Sequence, residues 1–185
     1  MYISKGMVIK PSTEDLLFVT RCGTDFKLTG NLADIWLDGR FAFAQEKPEQ
    51  AKDIQYLQRL GLIEQRAEQN SLAEYQILTQ CVLCAANPKY RWNILTPKEA
   101  EVLKWIRYAG LRLTAAELVF LQEKKIRPIE SLLYDRNRQA LTEVIYTPEN
   151  IQDNLLELEM EHSPARKETI QIILSLLRKK RILLL

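Results

Sequence analysis

Short apolar runs punctuated by turn residues open the chain, and helical spacing follows them. MVIK and DLLFVTRC are β-branched or apolar runs separated by Pro11, Ser12 and Thr13, a turn cluster, so each predicts a short strand. Cys22-Gly23-Thr24-Asp25 reads as a turn into a third strand, Phe26-Lys27-Leu28. Then the period changes. Leu32, Ile35 and Trp36 fall at i, i+3 and i+4, which predicts a helix capped by Asn31 and stopped by Gly39. A second helix starts near Pro48, presents Ile54, Leu57 and Leu60 to the core, and ends at Gly61. Leu62 to Arg66 and Leu72 to Leu78 read as two strands about the polar turn Glu68-Gln69-Asn70-Ser71.

Stronger punctuation marks the second half. Thr96-Pro97-Lys98-Glu99 is a capping box with proline at the first helical position, and its helix carries Val102, Leu103 and Ile106 to a stop at Gly110. Thr114-Ala115-Ala116-Glu117 is a second capping box, opening a helix with Leu118, Val119 and Leu121. Residues 128–146 fit a helical face through Ile129, Leu132, Leu133, Leu141, Val144 and Ile145, the favoured reading. Asp135-Arg136-Asn137-Arg138 as a turn between strands is the other. Thr147-Pro148 and Ser163-Pro164 each set a capping residue before a proline and open two more helices. Ile182 to Leu185 is too short for a helix and predicts a terminal strand, packed on the sheet or on a partner.

Helix, glycine stop and hairpin together form the end of a winged helix-turn-helix. The predicted fold class is therefore α+β, mostly helical, with two tandem winged helix-turn-helix-like modules over residues 1–83 and 84–185. Tyr56-Leu57 with Gly61-Leu62-Ile63 parallels Leu176-Leu177 with Arg181-Ile182-Leu183: in both, a long helix runs directly into an apolar strand. Phe26-Lys27-Leu28-Thr29-Gly30-Asn31-Leu32-Ala33-Asp34-Ile35-Trp36-Leu37-Asp38-Gly39, followed by Leu57, Leu60, Gly61, Leu62 and Ile63, resembles PqqD-like winged-helix domains across residues 7–66. That resemblance implies binding of a peptide along a sheet edge. Leu95 to Leu103, followed by Leu113 to Leu118, is similar to the first two helices of bacterial winged-helix DNA-binding regulators, a likeness placed over residues 95–185. Here the recognition helix of that pattern would have to follow some 45 residues after Leu118.

Charge narrows the function. From Ser163 onward six bases face one acid, a net of +5, while the residues before carry −3 and the whole chain +2. The leading reading is a DNA-binding transcriptional regulator in which Arg166, Lys167, Arg178, Lys179, Lys180 and Arg181 contact phosphate, joined by Arg136 and Arg138. Arg166 and Lys167 sit in a first helical turn, where cations are poorly placed for the helix dipole, whereas the 178–181 run suits a helix end. The alternative is a non-catalytic adaptor. There the first module's edge strand pairs with a protein or peptide segment, and the apolar C-terminus is an oligomer contact, as in a homodimer.

Other chemistry is sparse. Cys81-Val82-Leu83-Cys84 has C-x-x-C spacing, but Cys22 and His162 are the remaining candidate zinc ligands, so both cysteines read as small apolar residues. His162 reads as a helix C-cap, and Glu157, Glu159 and Glu161 as a solvated acidic side. Neither a phosphate loop nor a nucleophile elbow occurs, so no enzyme, cofactor or metal is predicted. The opening residues lack a signal-peptide core and no apolar run approaches bilayer length, which predicts a cytoplasmic protein without membrane contact. If α-helical phosphate contacts drive function, affinity for random duplex DNA falls steeply with salt, and replacing Lys179 and Lys180 by Gln lowers that slope; a filter-binding salt titration measures both.

Overall fold

The computed structural model describes residues 1–9, 16–86, 94–108, 113–133, 139–146 and 155–185. The fold is α+β, with small sheets among more extensive helix. Strand β1 (Tyr2–Ser4) was not anticipated, although it organises the first half. Three expected strands follow, β2 (Met7–Ile9), β3 (Leu17–Arg21) and β4 (Thr24–Leu28), forming an antiparallel sheet in the order β2-β3-β4. Cys22 (φ 50°) and Gly23 (φ 83°) make the two-residue turn between β3 and β4, with the positive dihedrals that match strand twist.

Helix α1 (Asn31–Asp38) starts one residue earlier than expected. Gly30 is its cap, and Asn31 is already helical. A 3-10 turn at Pro48–Gln50 leads into α2 (Ala51–Arg59). Gly61, at φ 72°, ends α2: its N–H bonds to the Gln58 carbonyl at 2.9 Å and the Leu62 N–H to the Leu57 carbonyl at 2.9 Å, the paired bonds of a Schellman cap.

The predicted wing is absent. Residues of β5 (Ile63–Gln65) pair antiparallel with β1, and α3 (Ser71–Thr79) is a helix where the hairpin's second strand was expected. The Asn70 side chain accepts from the N–H groups of Leu72 and Ala73, so the residues taken for a turn are a helix cap. Both faces of α3 are buried, with Ala73, Tyr75, Ile77 and Leu78 inside, so no single apolar stripe marked its period.

In the second half β6 (Leu83–Ala85) leads to α4 (Pro97–Tyr108) and α5 (Ala115–Glu123), both opened by the expected threonine–glutamate boxes. The glycine stop assigned to Gly110 lies outside the described residues. Between residues 128 and 146 the helical reading holds for α6 (Glu130–Leu133) and α7 (Gln139–Ile145). Two helices, α8 (Leu155–Glu161) and α9 (Arg166–Arg178), precede the terminal strand β7 (Ile182–Leu184). That strand pairs antiparallel with β6 inside the chain, with Ile182, Leu184 and Leu185 buried. No helix among the described residues is long and apolar enough to cross a membrane.

Two apolar cores result. One gathers Tyr2, Val19, Ile35, Trp36, Ile54, Leu57 and Ile63; the other gathers α3 through β7, including Trp105, Leu118 and Leu176. Strand β1 serves both. Tyr2 belongs to the first core, while Met1 and Ile3 belong to the second, as alternation along a strand requires. Truncating Ile3→Ala opens a void in the second core. It is expected to cost about 3 kcal/mol, measured as a drop in urea midpoint with unchanged slope.

Candidate functional site

Two strand edges converge beside Phe41. Arg21 and Thr24 flank the tight turn and exchange main-chain bonds, so in β3 the alternate residues Phe18 and Thr20 turn toward β2, where they meet Ile9 and Met7. Val8 therefore directs its N–H and C=O away from the sheet. Across the gap, Val82 and Leu185 exchange both main-chain bonds at 2.9 and 3.0 Å. By the same alternation Ile182 and Leu184 turn theirs away from β6. The two edges meet where the Gly6 N–H donates to the Leu184 carbonyl at 2.7 Å. Beyond that bond they line a cleft of about 370 Å³, within the range of ligand pockets.

Its walls are Val8, Ile182 and Leu183 with Ala85 and Phe41, and its charge comes from Arg40 and Lys180. Both cations use the Phe41 ring: the Arg40 guanidinium lies 4.6 Å and the Lys180 ammonium 5.1 Å from its centroid. Arg40 also lies 5.4 Å from the Trp36 ring, and burial lowers its pKa without removing its charge. No acidic side chain is among the described residues lining the cleft.

Helix α9 distributes the predicted phosphate contacts quite differently from one another. Arg166 is half-buried and donates through Nη1 to the Glu161 carbonyl, whereas Lys167 is exposed. Arg178, also exposed, lies twelve residues after Arg166, about 18 Å along the helix axis. Lys179 donates to both carboxylate oxygens of Glu99 at 2.7 Å and to the Ile94 carbonyl at 3.2 Å. Arg181 is buried. Lys180 lines the cleft. Arg136 and Arg138 lie outside the described residues. The charge concentrated in sequence is thus split between two helix ends, and part of it is used internally.

Glu99 is the centre of that internal use. It is 4% exposed and joins the start of α4 to the end of α9 through Lys179 and the Ser175 hydroxyl, which also donates to it. Burial pushes its carboxyl upward, but donation from Lys179, Ser175 and the Thr96 N–H outweighs this and holds it at about 2. Cys81 is buried with its thiol directed to the Ile77 carbonyl at 3.3 Å, and desolvation pushes its pKa up to about 12, so it is a poor nucleophile. Cys84 lies in β6 and forms no disulfide.

Sequence reasoning missed Arg40 and Phe41. The two follow the Gly39 helix stop, and nothing in their spacing links them to Lys180. Neither protein-family models, curated proteins nor solved structures contain a match to this chain.

Because the folded Glu99 carboxyl sits below its ordinary 4.5, its contribution is complete above pH 4.5 and is lost as pH falls toward 2. Replacement by Gln is expected to lower stability at pH 7 by about 2 kcal/mol, since it leaves Lys179 without its counter-charge. Urea melts of both proteins should show that difference shrinking below pH 4.5.

Proposed function

We propose that this protein is a non-catalytic adaptor that binds an extended peptide segment as an added strand on the edge of β2 that no strand among the described residues pairs. The observation that carries this reading is the cleft, where Val8 offers an outward N–H and C=O beside an apolar wall supplied by β7. Main-chain bonding along such an edge supplies affinity, and alternate side chains entering the cleft supply selectivity. The other edge of the sheet, β4, exposes Asp25 and Lys27.

The same reading makes the two halves variants of one winged-helix-like plan. In each, a leading strand is flanked on both sides: β1 by β5 and Ala44, β6 by β7 and Leu113. In each, the helix before the closing strand ends in a Schellman cap. Gly61 fills the left-handed position in the first and Lys180 (φ 55°) in the second, whose N–H bonds to the Leu177 carbonyl at 2.8 Å. The first half departs from the plan where α3 replaces the wing.

DNA binding by α9 draws less support. Phosphate contact calls for clustered free cations, and here Lys179 is matched by Glu99, Arg181 is buried, and Arg166 is turned onto a carbonyl.

A proline at position 8 tests strand addition. Val8→Pro removes the outward N–H while keeping the bonds of Met7 and Ile9 to β3, so stability is expected to change by less than about 1 kcal/mol. Binding of blocked heptapeptides with alternating valine and threonine should weaken by about tenfold or more, followed by amide shifts at Ile182 in titrations. Unchanged affinity, or no wild-type binding at millimolar peptide, removes the adaptor reading.

A further inference from the structure

Building on that strand-accepting cleft, we infer that the segment it accepts is acidic: a Glu or Asp side chain of the added strand is held between Arg40 and Lys180 above the Phe41 ring. Three observations converge on this. The two cations come from distant parts of the chain, one after α1 and one after α9, yet both lie within 5.1 Å of one ring centroid. Apart from Ser4, the other described residues of its lining are apolar or glycine, so a carboxylate entering it meets two positive charges and no competing acid among them. Asp38, the acid that precedes Arg40 on α1, is exposed and is not among the lining residues.

The backbone at Lys180 adds to these. It occupies the left-handed position of the α9 cap, a conformation that glycine takes without steric cost and that α2 fills with Gly61. Lys125 is left-handed at the end of α5 as well, so this backbone conformation by itself marks nothing. What distinguishes Lys180 is where the conformation sends the side chain: into the cleft and over Phe41. Glycine would close the helix better and leave the cleft with one cation.

The strand geometry sets the form of the ligand. Successive side chains of an added strand point to opposite faces, so one acidic residue can face the cations while its neighbours turn away. An extended segment with an acid between apolar or β-branched residues fits. A basic one is repelled by both cations.

The probes are blocked valine–threonine heptapeptides carrying Glu, Gln or Lys at the centre, together with a Gln peptide whose C-terminus is left free. Titrations follow the amides of Val8 and Ile182 and the Arg40 side chain. The Glu peptide is expected to bind about tenfold more tightly than the Gln peptide, and the Lys peptide most weakly. At about 1 M salt the preference should shrink. Arg40→Gln and Lys180→Gly should each reduce it, and Lys180→Gly should at the same time raise the melting temperature, which separates loss of selectivity from loss of fold. Equal binding of the blocked Glu and Gln peptides overturns the acidic inference and leaves strand addition standing. Equal binding of the blocked Glu peptide and the free-terminus Gln peptide assigns the site to a chain end and also overturns it. Absence of any shift at Val8 with every peptide overturns both.

Discussion

The double-sided burial of β1 holds the two cores in register. A strand with one wet face can slide or fray, but β1 has no wet face and no free edge. Ile3 is 0% and Tyr2 1% exposed, on opposite sides. Its main chain is bonded to β5 on one flank and to Ala44 and Gly39 on the other, with the Tyr2 N–H to Ala44 carbonyl at 2.9 Å and the Ser4 N–H to Gly39 carbonyl at 2.9 Å. A one-residue slip would exchange Tyr2 with Ile3 and put each into the other core, so the register is fixed by packing on both sides at once. Because a slip would damage both cores, the relation between the halves follows from the same contacts that stabilise each of them.

That constraint passes directly to the cleft. Lys5 follows β1 and is 2% exposed; its ammonium pairs with Glu64 on β5, its N–H bonds to the Leu62 carbonyl at 2.8 Å, and its carbonyl accepts from the Trp36 indole at 3.0 Å. A buried lysine is costly unless paired and hydrogen-bonded, and here these contacts fix where the chain leaves β1. The next residue, Gly6, turns at φ 110°, and a side chain there would press its Cβ to 2.7 Å from Val19. The turn aims β2 so that the Gly6 N–H reaches Leu184. The cleft opens from that hinge point between strands, and its position therefore depends on the Lys5–Glu64 pair, whose lysine stands between Ser4 and Gly6 of the lining.

Local signals carried much of this architecture and none of the assembly. Threonine–glutamate boxes at Thr96 and Thr114, the glycine at Gly61 and the apolar terminal run were readable because each is a short-range rule acting within a turn or two of helix. β1 was not readable, since Tyr-Ile-Ser is too short to show a period and its partners lie at Ile63–Gln65 and Ala44. α3 was misread for the opposite reason: a helix buried on all sides has no stripe, and Asn70-Ser71 serves a helix cap as well as a turn. The cleft joins residues near positions 7, 41 and 182, a juxtaposition that only the folded chain supplies.

The C-terminal charge shows why clustering in sequence is weak evidence for a patch in space. Four consecutive bases at the end of a helix meet four different surroundings because the cap turns the backbone between them. Arg178 still belongs to the helix, Lys179 reaches back to Glu99, left-handed Lys180 points into the cleft, and Arg181 is buried as its N–H bonds to the Leu176 carbonyl at 2.9 Å. A linear tally credits all four to one electrostatic field. The Schellman geometry instead gives them separate tasks, and of the four only Lys180 lines the cleft with its ammonium over an aromatic ring. The chain's mild positive charge therefore describes its bulk behaviour, while the charge of the cleft comes from Lys180 and from Arg40, an arginine outside the basic run altogether.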